Sequence, residues 1–432
     1  MQKNIKVLLQ PARNFIQKEY ASGLILFFFI LLALIIANSP LYSLYHHIWE
    51  IHFYIGWGDF KLDKALHHWI NDGLMSVFFF VIGLELKREI IAGELSSWKR
   101  ATLPLFAALG GMIIPALIYV FINFGKPTVS GWGIPMATDI AIALGLLTLA
   151  GKRVPIALKI FLTALAVVDD LGAVLVIAFF YSSNIYVSDI MIGLGFLLVL
   201  YGGNLLGIRH TLFYAIIGIL GLWYSFMASG VHPTIGGVLV AFTIPARTKI
   251  NEVAYLATIR KLSDLFEKEV PNNSTLTTKA QHSIIEKIKH VSSDAETPLQ
   301  KLEHALHPLV AYVVLPVFAF ANSGVQINTN AIIEALNPVT IGIIAGLVIG
   351  KAIGVTGFVW IATKVKFLFL PENISWKHII GVGLLAGVGF TMSIFITDLA
   401  FKDQDLVEKA KIGILVASLI SGISGLLLLR KA

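Results

Sequence analysis

The sequence predicts an all-α polytopic membrane protein of about twelve transmembrane helices, with one short periplasmic β-hairpin. Three observations predict it. The 432 residues are 56% hydrophobic and only 14% charged, where a soluble domain is nearer one quarter charged. Apolar runs recur at roughly the 17–25 residues that cross a bilayer. The connecting loops alternate between rich and poor in Lys and Arg, as the positive-inside rule requires. There is no cysteine, which excludes disulfides, thiolate metal sites and cysteine nucleophiles. The formal net charge of +7 fits basic loops facing an anionic inner leaflet, not a nucleic-acid partner.

In chain order, candidate spans fall at 21–38, 65–86, 101–122, 127–150, 154–181, 187–207, 211–227, 229–246, 305–325, 338–363, 377–400 and 408–430. Lys3, Lys6, Arg13 and Lys18 precede the first run, which ends at "ANSP" without a small-residue cleavage pattern. It is read as a retained span, not a signal peptide. With the N-terminus inside, the inside loops hold Lys87, Arg88, Lys99, Arg100, Lys152, Arg153, Arg209, Lys364, Lys366 and Lys377. Arg430 and Lys431 close the chain on the same side. The outside loops 181–188 and 326–337 have neither basic residue, and Lys61, Lys64, Lys126 and Lys402 are the exceptions. An even number of spans follows, with both termini cytoplasmic.

The whole chain, 1–432, reads as one integral-membrane domain, interrupted by a polar cytoplasmic loop at 247–303. That loop has amphipathic patches at "IRKLSDLFEKEV" and "SIIEKIKHV" and a flexible stretch at "PNNSTLTTKA". It serves either as a tether or as a regulatory element. Outside, "HIWEIHFYIGWGDF" (residues 47–60) alternates Ile51, Phe53 and Ile55 before a Gly-Trp-Gly turn, the pattern of an exposed hairpin. It offers an edge for pairing with a second copy, hence a homodimer, or an aromatic anchor in the lipid interface.

The chemistry lies in charges at the wrong depth. Asp169 and Asp170 sit in "ALAVVDDLGAVLVIAFF", roughly 24 Å along a helix that starts after Arg153. An ionised Asp at the membrane centre costs about 2.5–3.5 kcal/mol on the insertion scale. One compensating cation, Lys351, stands near the middle of span ten. Two carboxylates and one ammonium leave a surplus anion, which must be either protonated or loaded with a cation. Switching between those states is ion exchange. Consecutive helical residues point about 100° apart, so the two aspartates serve different partners. A third anion, Asp139, follows Pro135 in "GWGIPMATDIAIALG", and span eleven carries Gly387, Gly389 and Thr391 in "GLLAGVGFTMSIF". Glycine and proline in paired apolar runs mark either interrupted helices lining a transport site or close helix packing. At a break, Asp139 would offset a positive helix end.

Four stretches, "ATDIAIALG", "ALAVVDDLGA", "GKAIG" and "GVGFTMSIF", in this order and spacing, resemble the NhaA sodium/proton antiporters of bacteria. "NDGLMSVFFFVIGLELKRE", "GVHPTIGGV" and "HPLVAYVVLPVFAFANSGV" match as well, so the resemblance covers nearly the whole chain. It implies an inverted-repeat transporter fold in which interrupted fourth and eleventh helices cross. It implies a secondary antiporter of the bacterial inner membrane, electrogenic and pH-regulated, serving sodium and pH homeostasis. The transported ions would be Na+ or Li+ against H+, with no cofactor. By the matched motifs, Asp170 is the principal cation carboxylate. Asp169 is its partner in ion binding and in pairing with Lys351, which either carries a proton or holds the fold. Thr138 and Asp139 support the site, and Asp72 lies on the pathway. Glu85, Arg88, Glu89, Glu303, His304, His307 and His232 are the pH-sensing positions.

Bottom-up, Glu85, Arg88 and Glu89 share a helix face, and His304 and His307 lie one turn apart and titrate near neutral pH. An ordinary surface charge network explains the same pattern. The 247–303 stretch is long for the family. Three other classes of function compete. An intramembrane aspartyl protease uses two buried carboxylates, but here Lys351 stands at the same depth, and the GxGD at residues 56–59 lies in the hairpin segment and not in a span. A passive channel would move no protons in exchange. A membrane scaffold needs no midplane charges.

Overall fold

The computed structural model describes residues 21–57, 60–151, 154–182, 185–269, 276–326, 337–365, 370 and 374–431. The basic N-terminal lead, the pair Lys152 and Arg153, Lys366 and the first half of "PNNSTLTTKA" lie outside the described residues.

Helix α1 (Ala21–Ala37) is apolar throughout. The chain then turns through Ser39 and Pro40, and α2 (Tyr42–Glu50) runs at 114° to α1. The strands β1 (His52–Trp57) and β2 (Phe60–Ala65) pair antiparallel, from His52 opposite Ala65 to Trp57 opposite Phe60. The hairpin therefore occupies 52–65, not 47–60. The first residues of the predicted segment continue α2, where His46 and Glu50 pair at 3.2 Å across one turn. The second strand is "FKLDKA", whose lysines had marked it as loop.

The next span begins with a wide π-helical turn, Trp69–Leu74, and continues as α3 (Met75–Ala92). Helix α4 (Trp98–Ile122) follows. A 3₁₀ segment, Pro127–Met136, then leads into α5 (Ile140–Leu149) at a 44° bend. Pro135 supplies no N–H to continue the helix, and Ala137, Thr138 and Asp139 form the break. Helix α6 (Ile156–Phe180) carries the two aspartates in its middle. It is followed by α7 (Val187–Leu205), α8 (Thr211–Ser229) and the short α9 (Pro233–Thr243).

The polar stretch folds as α10 (Glu252–Lys268) and α11 (Lys279–Ala295), on the two amphipathic patches. Asn251 caps α10, and a Thr278–Gln281 capping box starts α11. The two helices meet at their base. Tyr255 and Ser292 hydroxyls lie 3.2 Å apart, and Lys249 Nζ donates to Asp294 Oδ2 at 3.0 Å. That bond holds the Asp294 carboxyl below the usual range.

Helix α12 (Pro298–Asn322) and α13 (Pro338–Lys364) each contain a π-helical turn, at Val310–Val314 and Ala345–Gly350. The second broken element is α14 (Trp376–Ala386) and α15 (Phe390–Ala400), bent by 45° across residues 387–389. Thr391, expected within the interruption, lies in the first turn of α15. Helix α16 (Gln404–Lys431) ends the fold. Among the described residues, seven helices are long and apolar enough to cross a membrane, and up to ten spans result if each bent pair counts as one.

Glycine sets the tightest packing. Gly110 of α4 and Gly354 of α13 face each other so closely that a Cβ on either would strike the other's carbonyl oxygen. Such small-residue crossings bring helix backbones into contact within lipid. Gly354→Ala is expected to destabilise the protein by about 1–3 kcal/mol, the usual cost of overpacking. Thermal unfolding in detergent reads this out, and an unchanged melting curve would show that the two helices can part without cost.

Candidate functional site

The two broken elements touch at their breaks. The backbone N–H of Asp139 donates to Val388 O at 2.7 Å. Asp139 caps α5, its Oδ1 accepting from the Ile142 N–H at 3.2 Å. Its Oδ2 accepts from the Thr391 N–H at 3.2 Å and the Thr391 hydroxyl at 2.6 Å, in the first turn of α15. One carboxylate thus faces the positive ends of two helices. The Ser418 hydroxyl of α16 accepts from the N–H groups of Gly389 and Phe390 at 3.1 and 3.3 Å, satisfying two more donors at that end.

Beside the breaks lies the ion pair. Lys351 reaches from α13, just after its wide turn, and Nζ donates to Asp169 Oδ2 at 2.5 Å and to Thr138 Oγ1 at 2.9 Å. Lys351 and Asp169 are each 1% exposed, and Asp170 and Asp139 are each 2% exposed. The Thr138 hydroxyl lies 2.6 Å from Asp169 Oδ2 and 2.8 Å from Ala386 O. It has one proton to give and serves one acceptor at a time. Thr138 therefore couples both breaks to the ion pair.

The neighbouring aspartates are not equivalent. Asp169 is paired, while no ion pair to Asp170 occurs among the described residues. One oxygen of each, Asp169 Oδ1 and Asp170 Oδ1, is buried without a hydrogen-bond partner. A desolvated carboxylate oxygen left so must find a proton or a cation. The donors here are all hard oxygens, which suit an alkali cation. A cavity of about 280 Å³ lies among Glu89, Glu94, Leu144, Lys159, Thr163 and Ala164. Thr163 precedes Asp170 by about two turns on one face of α6, so this cavity lies on the α6 N-terminal side of the site, roughly 10 Å along the helix from Asp170.

The predicted charge cluster is only partly assembled. Arg88 joins Glu303 of α12 at 2.8 Å and its own neighbour Glu89 at 3.0 Å. His307 stands 4.0 Å from Glu85. Glu303 keeps one buried oxygen without a partner. His304 turns away from this group and lies 3.8 Å from Glu296, at the foot of α11. His232 is elsewhere again. Its Nε2 lies 3.6 Å from Asp72 Oδ1 in the wide turn before α3, and its Nδ1 lies 2.7 Å from the Thr234 hydroxyl. Sequence reading missed Ser418, because a serine in an apolar helix gives no signal of its role. It also had no means of seeing that Thr391 holds Asp139, since the two are joined only across the chain.

The family described as "Na+/H+ antiporter 1" matches residues 13–429. The "Na(+)/H(+) antiporter NhaA" of Oleidesulfovibrio alaskensis is 47% identical over 427 residues, covering 99% of this chain and 95% of that protein. The "Na(+)/H(+) antiporter NhaA 1" of Psychromonas ingrahamii is 47% identical over 423 residues, covering 97% and 96%. The "Na(+)/H(+) antiporter NhaA" of Koribacter versatilis is 45% identical over 421 residues, covering 98% and 91%.

Proposed function

Because the chain belongs to the Na+/H+ antiporter 1 family, and is a multi-pass secondary transporter that exchanges Na+ for H+, we propose that Asp169 and Asp170 are the carboxylates on which the two ions compete. The observation that carries this reading is the unequal pair. Of two adjacent buried aspartates, Asp169 holds the lysine, and each keeps an oxygen without a hydrogen-bond partner among the described residues. Asp170, without an ion pair among the described residues, is the principal cation ligand. Asp169 joins it when Lys351 yields its hold. Asp139 and Thr138 keep the two breaks in register around them.

The cycle needs no second site. Na+ or Li+ enters from the cytoplasm through the cavity beside Thr163 and takes the carboxylate oxygens as protons leave. The site then reorients, releases the cation outside and takes up protons there. With more than one proton exchanged for each sodium, every cycle moves charge. Each elementary charge contributes about 2.3 kcal/mol per 100 mV, so an inside-negative potential drives sodium out.

The same reading gives twelve spans in the bacterial inner membrane, arranged as inverted repeats, with both termini cytoplasmic and α10 and α11 on the inner surface. The fourth span is the 3₁₀ segment with α5, the eleventh is α14 with α15, and they cross at their breaks. The hairpin, at residues 52–65, lies in the periplasm and joins a homodimer. Surrounding lipid completes the surface. The group Glu85, Arg88, Glu89, Glu303 and His307 ties α3 to α12 at the inner surface, and its charge state sets the response to pH. His304, turned away from that group, faces Glu296 at the foot of α11 and adds a second titrating contact there.

A pH-sensitive dye in everted membrane vesicles tests this function. Added Na+ or Li+ is expected to release protons from acid-loaded vesicles across a pH series, while K+ releases none. An equal response to K+, or none to Na+, would refute the carboxylate pocket as a selective exchanger.

A further inference from the structure

The wide turn that precedes α3 holds a second polar network, which the transport cycle above does not use. Asn71 lies in the wide turn Trp69–Leu74 and donates from Nδ2 to Asp398 Oδ2 of α15 at 3.1 Å. Its Oδ1 accepts from Asn322 Nδ2, on the last residue of α12, at 2.9 Å. Asn322 Oδ1 in turn lies 2.9 Å from His67 Nε2. Asp398 has two cationic neighbours at longer range, Lys411 Nζ of α16 at 3.7 Å and His67 Nε2 at 3.8 Å. Asn71 and Asn322 are 7% and 1% exposed. Separating such desolvated amides leaves polar groups unpaired until water reaches them.

About one turn nearer the ion site, the same three helices meet through aromatic rings. Phe395 of α15 packs against Phe79 of α3 and Phe318 of α12, with ring centroids 5.6 and 6.1 Å apart. About one further turn along α15 stands Thr391, which holds Asp139. A single half-helix thus runs from the ion site, past a cluster of rings that includes His232 at 5.3 Å from Phe395, to a polar tie. It cannot swing away from α3 and α12 unless the tie is broken.

We propose that Asn71, Asn322 and Asp398 form a clamp that closes the outer side of the ion pathway, and that its release is the step that turns the site outward. They are positioning residues, acting on the ion site through α15. The proposal rests on the topology proposed above, which puts this end of α3 outside.

The test compares apparent sodium affinity at the two faces, in everted and in right-side-out vesicles. Only the fraction of molecules facing a given side binds sodium from it, so apparent affinity scales with that fraction. Asp398→Ala is expected to raise KM at the cytoplasmic face about threefold and to lower it at the outer face, as the inward-facing population falls. Asp398→Asn keeps an oxygen to accept from Asn71 and is expected to restore both values to within about twofold of the native protein. KM values that stay at the native level, that move together at both faces, or a fall in maximal rate alone would overturn the clamp. If Asp398→Ala fails to reach the membrane, Asn71→Ser in the same two measurements decides. A shift of opposite sense would keep the clamp and overturn the topology.

Discussion

Replacing Asp170 with asparagine is expected to abolish sodium-dependent proton movement in everted vesicles while leaving the protein folded. The side chain keeps its size but can neither bind a cation by charge nor release a proton at any working pH. Loss of one charged partner in a buried site costs about 3 kcal/mol or more, roughly a hundredfold in sodium affinity. Losing the exchangeable proton removes the return half of the cycle as well. Folding should survive, because Asp170 has no ion pair among the described residues and one of its oxygens is already unpartnered. Native activity in Asp170→Asn would refute the assignment. Activity retained with sodium affinity shifted less than tenfold would move the principal role to Asp169.

The second large effect concerns stability. Lys351→Ala strips the ammonium from Asp169 and leaves a carboxylate that is 1% exposed without its cation. Breaking a buried pair by removing one partner costs about 3–5 kcal/mol. Thermal unfolding in detergent should show a clearly lowered midpoint. Adding Asp169→Asn to that variant should recover part of the loss, since the uncompensated charge is then gone and only the cavity remains. The two changes should therefore not add. A midpoint equal to that of the native protein would argue that Lys351 contributes nothing to the fold and leave a proton-carrying role as its reason for being there.

Much of the site could be located from sequence because charge is scarce in this chain. Asp139, Asp169, Asp170 and Lys351 stand out against apolar neighbours, and depth along a helix follows from counting residues. Proline and glycine likewise located both bends, at residues 137–139 and 387–389. What counting could not supply was choice of partner. Depth alone did not say which aspartate meets Lys351, nor that Thr138 touches the lysine, Asp169 and Ala386 together. The clamp was invisible for the same reason. Asn71 and Asp398 are 327 positions apart, and the motif that holds Asn71 does not say what the amide meets. The hairpin was misplaced because its second strand is rich in lysine, and a solvated edge strand carries little hydrophobic signal. Spacing could not name the partners of the histidines either. Spacing put His304 and His307 on neighbouring turns, yet one faces Glu296 and the other Glu85.

The crossing of Gly110 and Gly354 has a consequence for motion. Two backbones in direct contact interlock like gear teeth, and neither α4 nor α13 can slide along the other without a collision. The pair is a chassis, and Lys351 is bolted to it. Moving parts must then be sought among the half-helices, which are fastened to that frame by a few side-chain hydrogen bonds and can be unfastened one bond at a time.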